Sequence, residues 1–271
     1  MDLTISMATH DDYDGVYFTV QSLRMHQRLP ARTEFLILDN NPGSAHGAAL
    51  RKFARSIPEM RVVPVTDRKS SFIKYEAFAL AEGAVLLGLD CHVLLQTGFI
   101  AQLMQHWSKH PHSRDMLTGP LLYDDLRATS VKMEPCWRGH DFGTWADDPA
   151  AMQAGQPFEV PMQGMGCFSF TRTGMVPIHP GFRGFGGEEW YVAEVVRLHG
   201  GRVLCHPALG WTHRFDWPPR NFPLLLEDKV RNYYRGWGEL YPPSHNMLTA
   251  MTRHWETLLP PSRVAYLRQS A

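Results

Sequence analysis

The stretch Val85-Leu86-Leu87-Gly88-Leu89-Asp90-Cys91-His92-Val93-Leu94-Leu95 constrains this chain more than any other. An apolar run headed by a β-branched Val reads as a central strand buried on both faces. Side chains alternate along a strand, so the end of this one should place Asp90 and His92 on the same side. A carboxylate oxygen and an imidazole nitrogen two residues apart can hold one divalent cation, and Mn²⁺ accepts that mixed oxygen and nitrogen set. A plainer reading of the same pair stays open. In it, Asp90 caps the next segment and His92 is packed or solvated.

The segments before this run supply its neighbours. Leu3 to Thr9 reads as a first strand, and the polar loop His10-Asp11-Asp12-Tyr13-Asp14-Gly15 can cap a helix from Val16 to Met25. Glu34 to Asp39 is a second strand, closed by the turn residues Asn40-Asn41-Pro42-Gly43 with Ser44 as N-cap of a helix to about Ser56. Arg61 to Val65 is a short third strand, and its internal Pro64 points to a strand end or sheet edge. Ser70 to Ala81 has helical spacing. Four strands alternating with helices predict an α/β fold with a mostly parallel sheet. In such sheets ligands bind beyond the C-terminal strand ends, where Thr9, Asp39 and Asp90 all fall. No Gly-x-Gly-x-x-Gly or Walker loop follows the first strand, which disfavours a dinucleotide or P-loop nucleotide site.

Composition narrows the classes further. The 271 residues are 44% apolar, enough for one large α/β domain or two small ones. Lys+Arg and Asp+Glu number 27 each, which argues against a globally basic nucleic-acid binder. The four cysteines, Cys91, Cys136, Cys167 and Cys205, form no Cys-x-x-Cys pair, so a zinc cage is disfavoured and a reducing, cytoplasmic compartment is expected. The N-terminus has no basic region followed by a long apolar core, and no stretch reaches the roughly 18 apolar residues of a membrane span.

In the second half, Thr97 to Lys109 should be a helix and Met116 to Leu122 a strand. Between Tyr123 and Val160 the pattern dissolves around several Gly and Pro residues. Trp137 and Trp145 within it suggest a lid contacting sugar or acceptor, the alternative being a plain surface insertion. Pro161 to Phe170 reads as a glycine-bearing strand. Phe185-Gly186-Gly187-Glu188-Glu189 then opens a helix to Leu198, with both acids in its first turn, where the helix dipole favours negative charge. Arg202 to Cys205 is a last strand, leading to Trp211-Thr212-His213.

Together these segments resemble the GT-A glycosyltransferases, nucleotide-sugar enzymes with a Rossmann-like domain, over about residues 3 to 215. The second half looks most like the polypeptide N-acetylgalactosaminyltransferases. Their Asp-x-His metal motif is matched by Asp90-Cys91-His92. Their Met-x-Gly-Gly-Leu-Phe-like strand is matched loosely by Met162-Gln163-Gly164-Met165-Gly166-Cys167-Phe168, their Trp-Gly-Gly-Glu-Asn by Phe185-Gly186-Gly187-Glu188-Glu189, and a later metal-binding histidine by His213. Phe185 replaces Trp, Glu189 replaces Asn, and the lectin domain of those enzymes has no counterpart. The Glu188-Glu189 pair also resembles the Glu-Asp pair of inverting GT-A transferases, in which the second acid is the base.

The resemblance implies transfer of a sugar from a nucleoside diphosphate, most readily UDP, to a hydroxyl acceptor. It implies Asp90, His92 and His213 as ligands of Mn²⁺ or Mg²⁺, and Glu188 and Glu189 as catalytic acids. It implies donor contacts from Thr9, Asp11, Asp39, Lys74, Asp90, Gly164 and Gly187. Sugar, acceptor, anomeric outcome and homo-oligomeric state stay open. So do two other classes, a non-catalytic nucleotide-sugar or carbohydrate-binding protein of the same fold and a nucleotidyltransferase. A nucleic-acid acceptor is disfavoured by the neutral charge.

Residues 216–271 lie outside the resemblance and read as a helical extension on or beside the domain. One helix should span Phe222 to Arg235, ending before Gly236-Trp237-Gly238, and a second His245 to Leu259. The interleaved Tyr233, Tyr234, Arg235, Trp237 and Tyr241 fit helices covering the domain's flank, with an acceptor groove, a dimer contact or a membrane-surface contact as alternatives.

Overall fold

The computed structural model describes residues 1–67, 69–215, 222 and 224–271. Strand β1 (Leu3–Thr9), helix α1 (Tyr13–His26), β2 (Thr33–Asp39), α2 (Ala45–Ala54), β3 (Met60–Pro64), α3 (Ile73–Leu80) and β4 (Val85–Asp90) alternate as the sequence predicts. Asp12 caps α1 by accepting from the Gly15 amide, and Ser44 caps α2 through Gly47. Strand β3 takes the sheet edge, where Pro64 can do without a ladder hydrogen bond.

These four strands are parallel and run in the order β4-β1-β2-β3. The chain winds outward from β1 to β3, then crosses back to lay β4 on the other side of β1. That reversal opens a crevice at the strands' C-terminal ends, the usual ligand position in such sheets. The register pairs Thr9 with Asp39 and Ala8 with Asp90, so the three predicted strand-end residues lie on one edge.

Past β4 the structure departs from the sequence reading. Strand β4 ends at Asp90, and Cys91 and His92 form a turn. The chain re-enters a strand as β5 (Val93–Leu95), which belongs to a different sheet. Strand alternation is therefore not what brings Asp90 and His92 together; the turn does. After α4 (Phe99–Lys109), the expected strand Met116 to Leu122 is broken by Gly119 and Pro120 into β6 (Met116–Thr118) and β7 (Leu121–Leu122), again in separate sheets.

The stretch expected to be irregular holds β8 (Thr129–Ser130), a two-stranded hairpin of β9 (Lys132–Arg138) and β10 (Asp141–Ala146), α5 (Pro149–Gln153) and β11 (Phe158–Glu159). Its turn signal is Gly139, in the left-handed region at φ +59°. Only the end of the next predicted strand is β12 (Cys167–Thr171), which lies antiparallel beside β4. There Phe168 faces Gly88, where a Cβ would come within 2.6 Å of the Phe168 ring, so the glycine in β4 makes room for a cross-strand aromatic. Helix α6 (Glu188–Leu198) and β13 (Val203–Cys205) follow, then β14 (Trp211–His213).

The main sheet has the order β11-β13-β6-β12-β4-β1-β2-β3, and a smaller one β5-β14-β7-β8. Alternate residues of the central strands feed two cores. Phe35, Ile37, Leu87 and Leu89 pack with Val16, Val20, Leu50 and Ile100 on one face. Leu36, Leu38 and Leu86 pack with Phe72, Phe78, Val192 and Val196 on the other.

The C-terminal helices are α7 (Leu226–Leu240), α8 (Asn246–Leu258) and α9 (Pro261–Gln269), one more than expected. Helix α7 runs straight through Gly236 and Gly238. Tyr233, Tyr234 and Trp237 are buried within the second core, so this aromatic stripe is packing. Trp137 joins them, stacked 4.1 Å from the His254 ring and 5.3 Å from that of Trp255, and so it serves as packing and not as a lid. Among the described residues, no helix is long and apolar enough to cross a membrane. All four cysteines are free.

Candidate active site

The crevice between β1 and β4 collects most of the residues singled out from the sequence. Asp90 closes β4, and its amide donates to the Gly166 carbonyl at 2.9 Å. Position 166 sits tight against the carboxylate, since a Cβ there would lie 3.3 Å from Asp90 Oδ2. His213 arrives from far along the chain. Strand β14 pairs antiparallel with β5 and sets His213 opposite Val93, beside His92. The two imidazoles pack edge to face at 4.6 Å, and His213 Nε2 lies 3.3 Å from Asp90 Oδ2. Asp90, His92 and His213 thus offer three ligand atoms within 4.8 Å of one another. One carboxylate and two imidazoles so placed suit Mn²⁺ or a similar cation.

A second group, Asp12, Cys91 and His92, meets the same distance limit and shares His92. Its chemistry fits a cation less well. Burial pushes the Cys91 thiol far up, with Asp12 and Asp90 adding to the effect, so it stays protonated and donates to Asp12 Oδ2 at 3.3 Å.

Lys74 lies across the crevice on α3 and is 6% exposed. Its ammonium donates to the Met165 carbonyl at 3.1 Å and stands 3.6 Å from Asp90 Oδ1 and 3.9 Å from Glu188 Oε1. Burial opposes the charge on Lys74, but Asp90, Glu188 and Glu189 outweigh it and raise its pKa. Burial likewise pushes Asp90 up, yet Lys74, the His213 hydrogen bond and the nearby imidazoles hold its carboxyl well below the usual range.

The two glutamates come from the first turn of α6. Gly186 and Gly187 precede them at φ +90° and +95°, left-handed values that a side chain rarely tolerates. Asn232 on α7 holds this loop, donating to the Arg183 and Gly186 carbonyls and accepting from the Arg183 amide. Glu188 is 2% exposed, and its Oε2 has no hydrogen-bond partner among the described residues. Glu189 is half-buried, and burial together with the Glu188 charge raises its carboxyl to about 8.

At the other end of the crevice, Asp39 accepts from the Asn41 amide through Oδ1, while its buried Oδ2 has no hydrogen-bond partner among the described residues. Burial raises its pKa. Thr9 Oγ1 and both ring nitrogens of His10 are also buried with no hydrogen bond of good geometry to another described residue. A folded protein rarely leaves so many buried polar atoms unmet unless a ligand or water answers them. Asp11 has φ +54° and is held through both carboxylate oxygens by the Asn41 amide group. Gly164 backs onto Trp145, whose ring a Cβ there would meet at 2.5 Å.

Sequence reasoning missed Asp12, His10 and Asn232. Asn232 carried a signal, a polar residue within the apolar stripe of α7. His10 and Asp12 looked like ordinary loop and cap residues.

No protein-family model and no curated protein matches the sequence. Solved structures do. GalNAc-T7 with UDP, GalNAc and Mn²⁺ aligns over 88% of this chain and 49% of that one, at 16% identity and TM-score 0.66. The mannosyltransferase PcManGT from Pyrobaculum calidifontis, in complex with GDP-Man and Mn²⁺, aligns over 98% and 73%, at 14% identity and TM-score 0.57. S. aureus TarS 1-349 in complex with UDP-GlcNAc aligns over 94% and 70%, at 12% identity and TM-score 0.58. The chain spans about half the length of the GalNAc-T7 chain. What these likenesses establish is the architecture: this chain has the GT-A glycosyltransferase fold.

Proposed function

We propose that this chain is a metal-dependent glycosyltransferase that moves a sugar from a nucleoside-diphosphate sugar, with UDP as the nucleotide, to a hydroxyl acceptor. The observation that carries this reading is the convergence of Asp90, His92 and His213 at the C-terminal strand ends, next to the unmet polar atoms of Thr9 and Asp39. Solved structures of the same fold hold UDP with GalNAc, GDP-Man or UDP-GlcNAc, the first two with Mn²⁺, which supports a nucleotide-sugar donor in this crevice.

In this reading Asp39 and Thr9 take the nucleoside. Asp39 Oδ2 accepts from a base N–H or a ribose hydroxyl, answering its missing partner. Asp90, His92 and His213 would hold Mn²⁺ or Mg²⁺. The bound cation would supply positive charge against the leaving diphosphate, where negative charge develops. Lys74 keeps Asp90 ionised and ready to bind. Glu188, fixed by the Gly186-Gly187 loop, faces the sugar and orients hydroxyls with its unpaired Oε2. Glu189 is the base in an inverting transfer, accepting the acceptor hydroxyl's proton as that oxygen attacks the anomeric carbon. A carboxyl at about 8 has the proton affinity this task needs near neutral pH. Trp145, against Gly164, lines the same side. Helix α7 completes the site indirectly, through the grip of Asn232 on the glutamate loop.

Calorimetric titration of UDP, with and without Mn²⁺, into wild type and His213→Ala tests the proposal. Metal-dependent UDP binding that is lost in the variant is expected. Silence toward UDP, GDP and CDP alike would overturn it.

A further inference from the structure

Helix α1 grips the metal-binding turn at two points. The Thr19 hydroxyl lies 3.1 Å from the Cys91 carbonyl and 2.9 Å from that of Val93, the residues on either side of His92. Asp12, 1% exposed at the helix N-cap, holds the imidazole itself, with Oδ2 2.9 Å from His92 Nδ1. Its other oxygen accepts from the Gly15 amide at 2.9 Å.

The chemistry of this contact is directional. A carboxylate can only accept, so Nδ1 of His92 must carry the proton. Nε2 is then the nitrogen with a free lone pair. A carboxylate that fixes the tautomer and orientation of a metal-bound histidine also raises its basicity, and loss of such a partner costs about 10- to 100-fold in metal affinity. We infer that Asp12 is a positioning residue for the divalent cation, coupling the N-terminus of α1 to the ligand nitrogen of His92. This rests on the metal site proposed above.

Asp12→Asn is the sharpest test. Asn is as good an N-cap as Asp, so α1 is kept. The cap also fixes the amide's orientation, because its oxygen must face the Gly15 N–H. The NH₂ group is left to donate to His92 Nδ1, forcing the proton onto Nε2 and removing the ligand lone pair. Two readouts separate the outcomes. Mn²⁺ binding to the full chain, followed by electron paramagnetic resonance of free Mn²⁺, should weaken about 10- to 100-fold. In the metal-free protein, ¹⁵N shifts of labelled histidine should move His92 from the Nδ1–H to the Nε2–H tautomer. Equal Mn²⁺ affinity in a variant whose wild type binds would overturn the inference and leave the metal site standing. Absence of Mn²⁺ binding in wild type would overturn the metal reading. The tautomer measurement then decides the role of Asp12 by itself, and an unchanged tautomer overturns it. Asp12→Ser, which still caps α1 but cannot reach His92, serves if Asp12→Asn fails to fold, with the same fall in Mn²⁺ affinity expected.

Discussion

Replacing Glu189 with Gln should make the protein more stable in alkaline buffer while lowering its turnover. Burial and the neighbouring Glu188 charge raise the Glu189 carboxyl from 4.5 to about 8 in the folded state. In the unfolded chain it stays near its ordinary value. Below that value both states are protonated, and the group costs nothing. As pH rises toward 8 the unfolded state releases the proton first, so the stability present in acid is lost progressively and the loss is complete above about 8. At about 1.4 kcal/mol per unit, wild type loses up to about 4 kcal/mol between pH 5 and pH 9 through this group. Partial exposure of the side chain and relief of Glu188 in the variant both lower that figure, so it is an upper bound. With about 2 °C of melting temperature per kcal/mol for a chain of this size, Glu189→Gln should gain on wild type by up to about 8 °C over that range. The assay is thermal unfolding followed by circular dichroism at pH 5, 7 and 9 in chelator, since a cation near the crevice would mask the charge. A melting difference that stays constant with pH would show that Glu189 ionises normally. The case for it as a tuned base would then fail.

Four further outcomes are expected. In donor hydrolysis or transfer assays, Glu189→Gln should lower turnover about 10²-fold or more if the carboxylate takes the acceptor proton. A near-wild-type rate would reduce Glu189 to a helix-terminal acid. Asp90→Ala should abolish Mn²⁺-dependent turnover in a folded protein, and full activity would end the metal reading. Lys74→Met removes the ammonium between Asp90 and Glu188, and chemical denaturation should show a loss of about 3–5 kcal/mol, reduced when Glu188→Gln is added. Gly236→Ala puts a methyl 2.8 Å from the Phe182 ring and 2.9 Å from that of Tyr191, where α7 passes α6, and should cost about 1–3 kcal/mol in the same assay.

The first half of the fold was legible because its signals are local. Strands β1 to β4 are apolar runs closed by turn residues, and their helices begin at Asp12 and Ser44, side chains that cap by reaching three residues on. Glu188 and Glu189 were legible for the same reason, as acids placed after a Gly-Gly pair at a helix start. The hairpin of β9 and β10 was not, because Trp137 and Phe142 owe their burial to helices α7 and α8, about a hundred residues away. The aromatic residues of α7 were ambiguous until the same packing showed them to be core.

By itself the sequence determined an α/β sheet with Thr9, Asp39 and Asp90 at its C-terminal edge, since hydrophobic period and turn chemistry act between near neighbours. Tertiary structure alone decided what those residues face. His213 reaches Asp90 because β14 pairs with β5, a contact between segments more than a hundred residues apart. Asp12 meets His92 because α1 packs over the turn after β4. Lys74 stands between two carboxylates because α3 and α6 cover the same face of the sheet. Such meetings depend on sheet order and register, which many local patterns share, so the electrostatics of the site exist only once the chain has closed on itself.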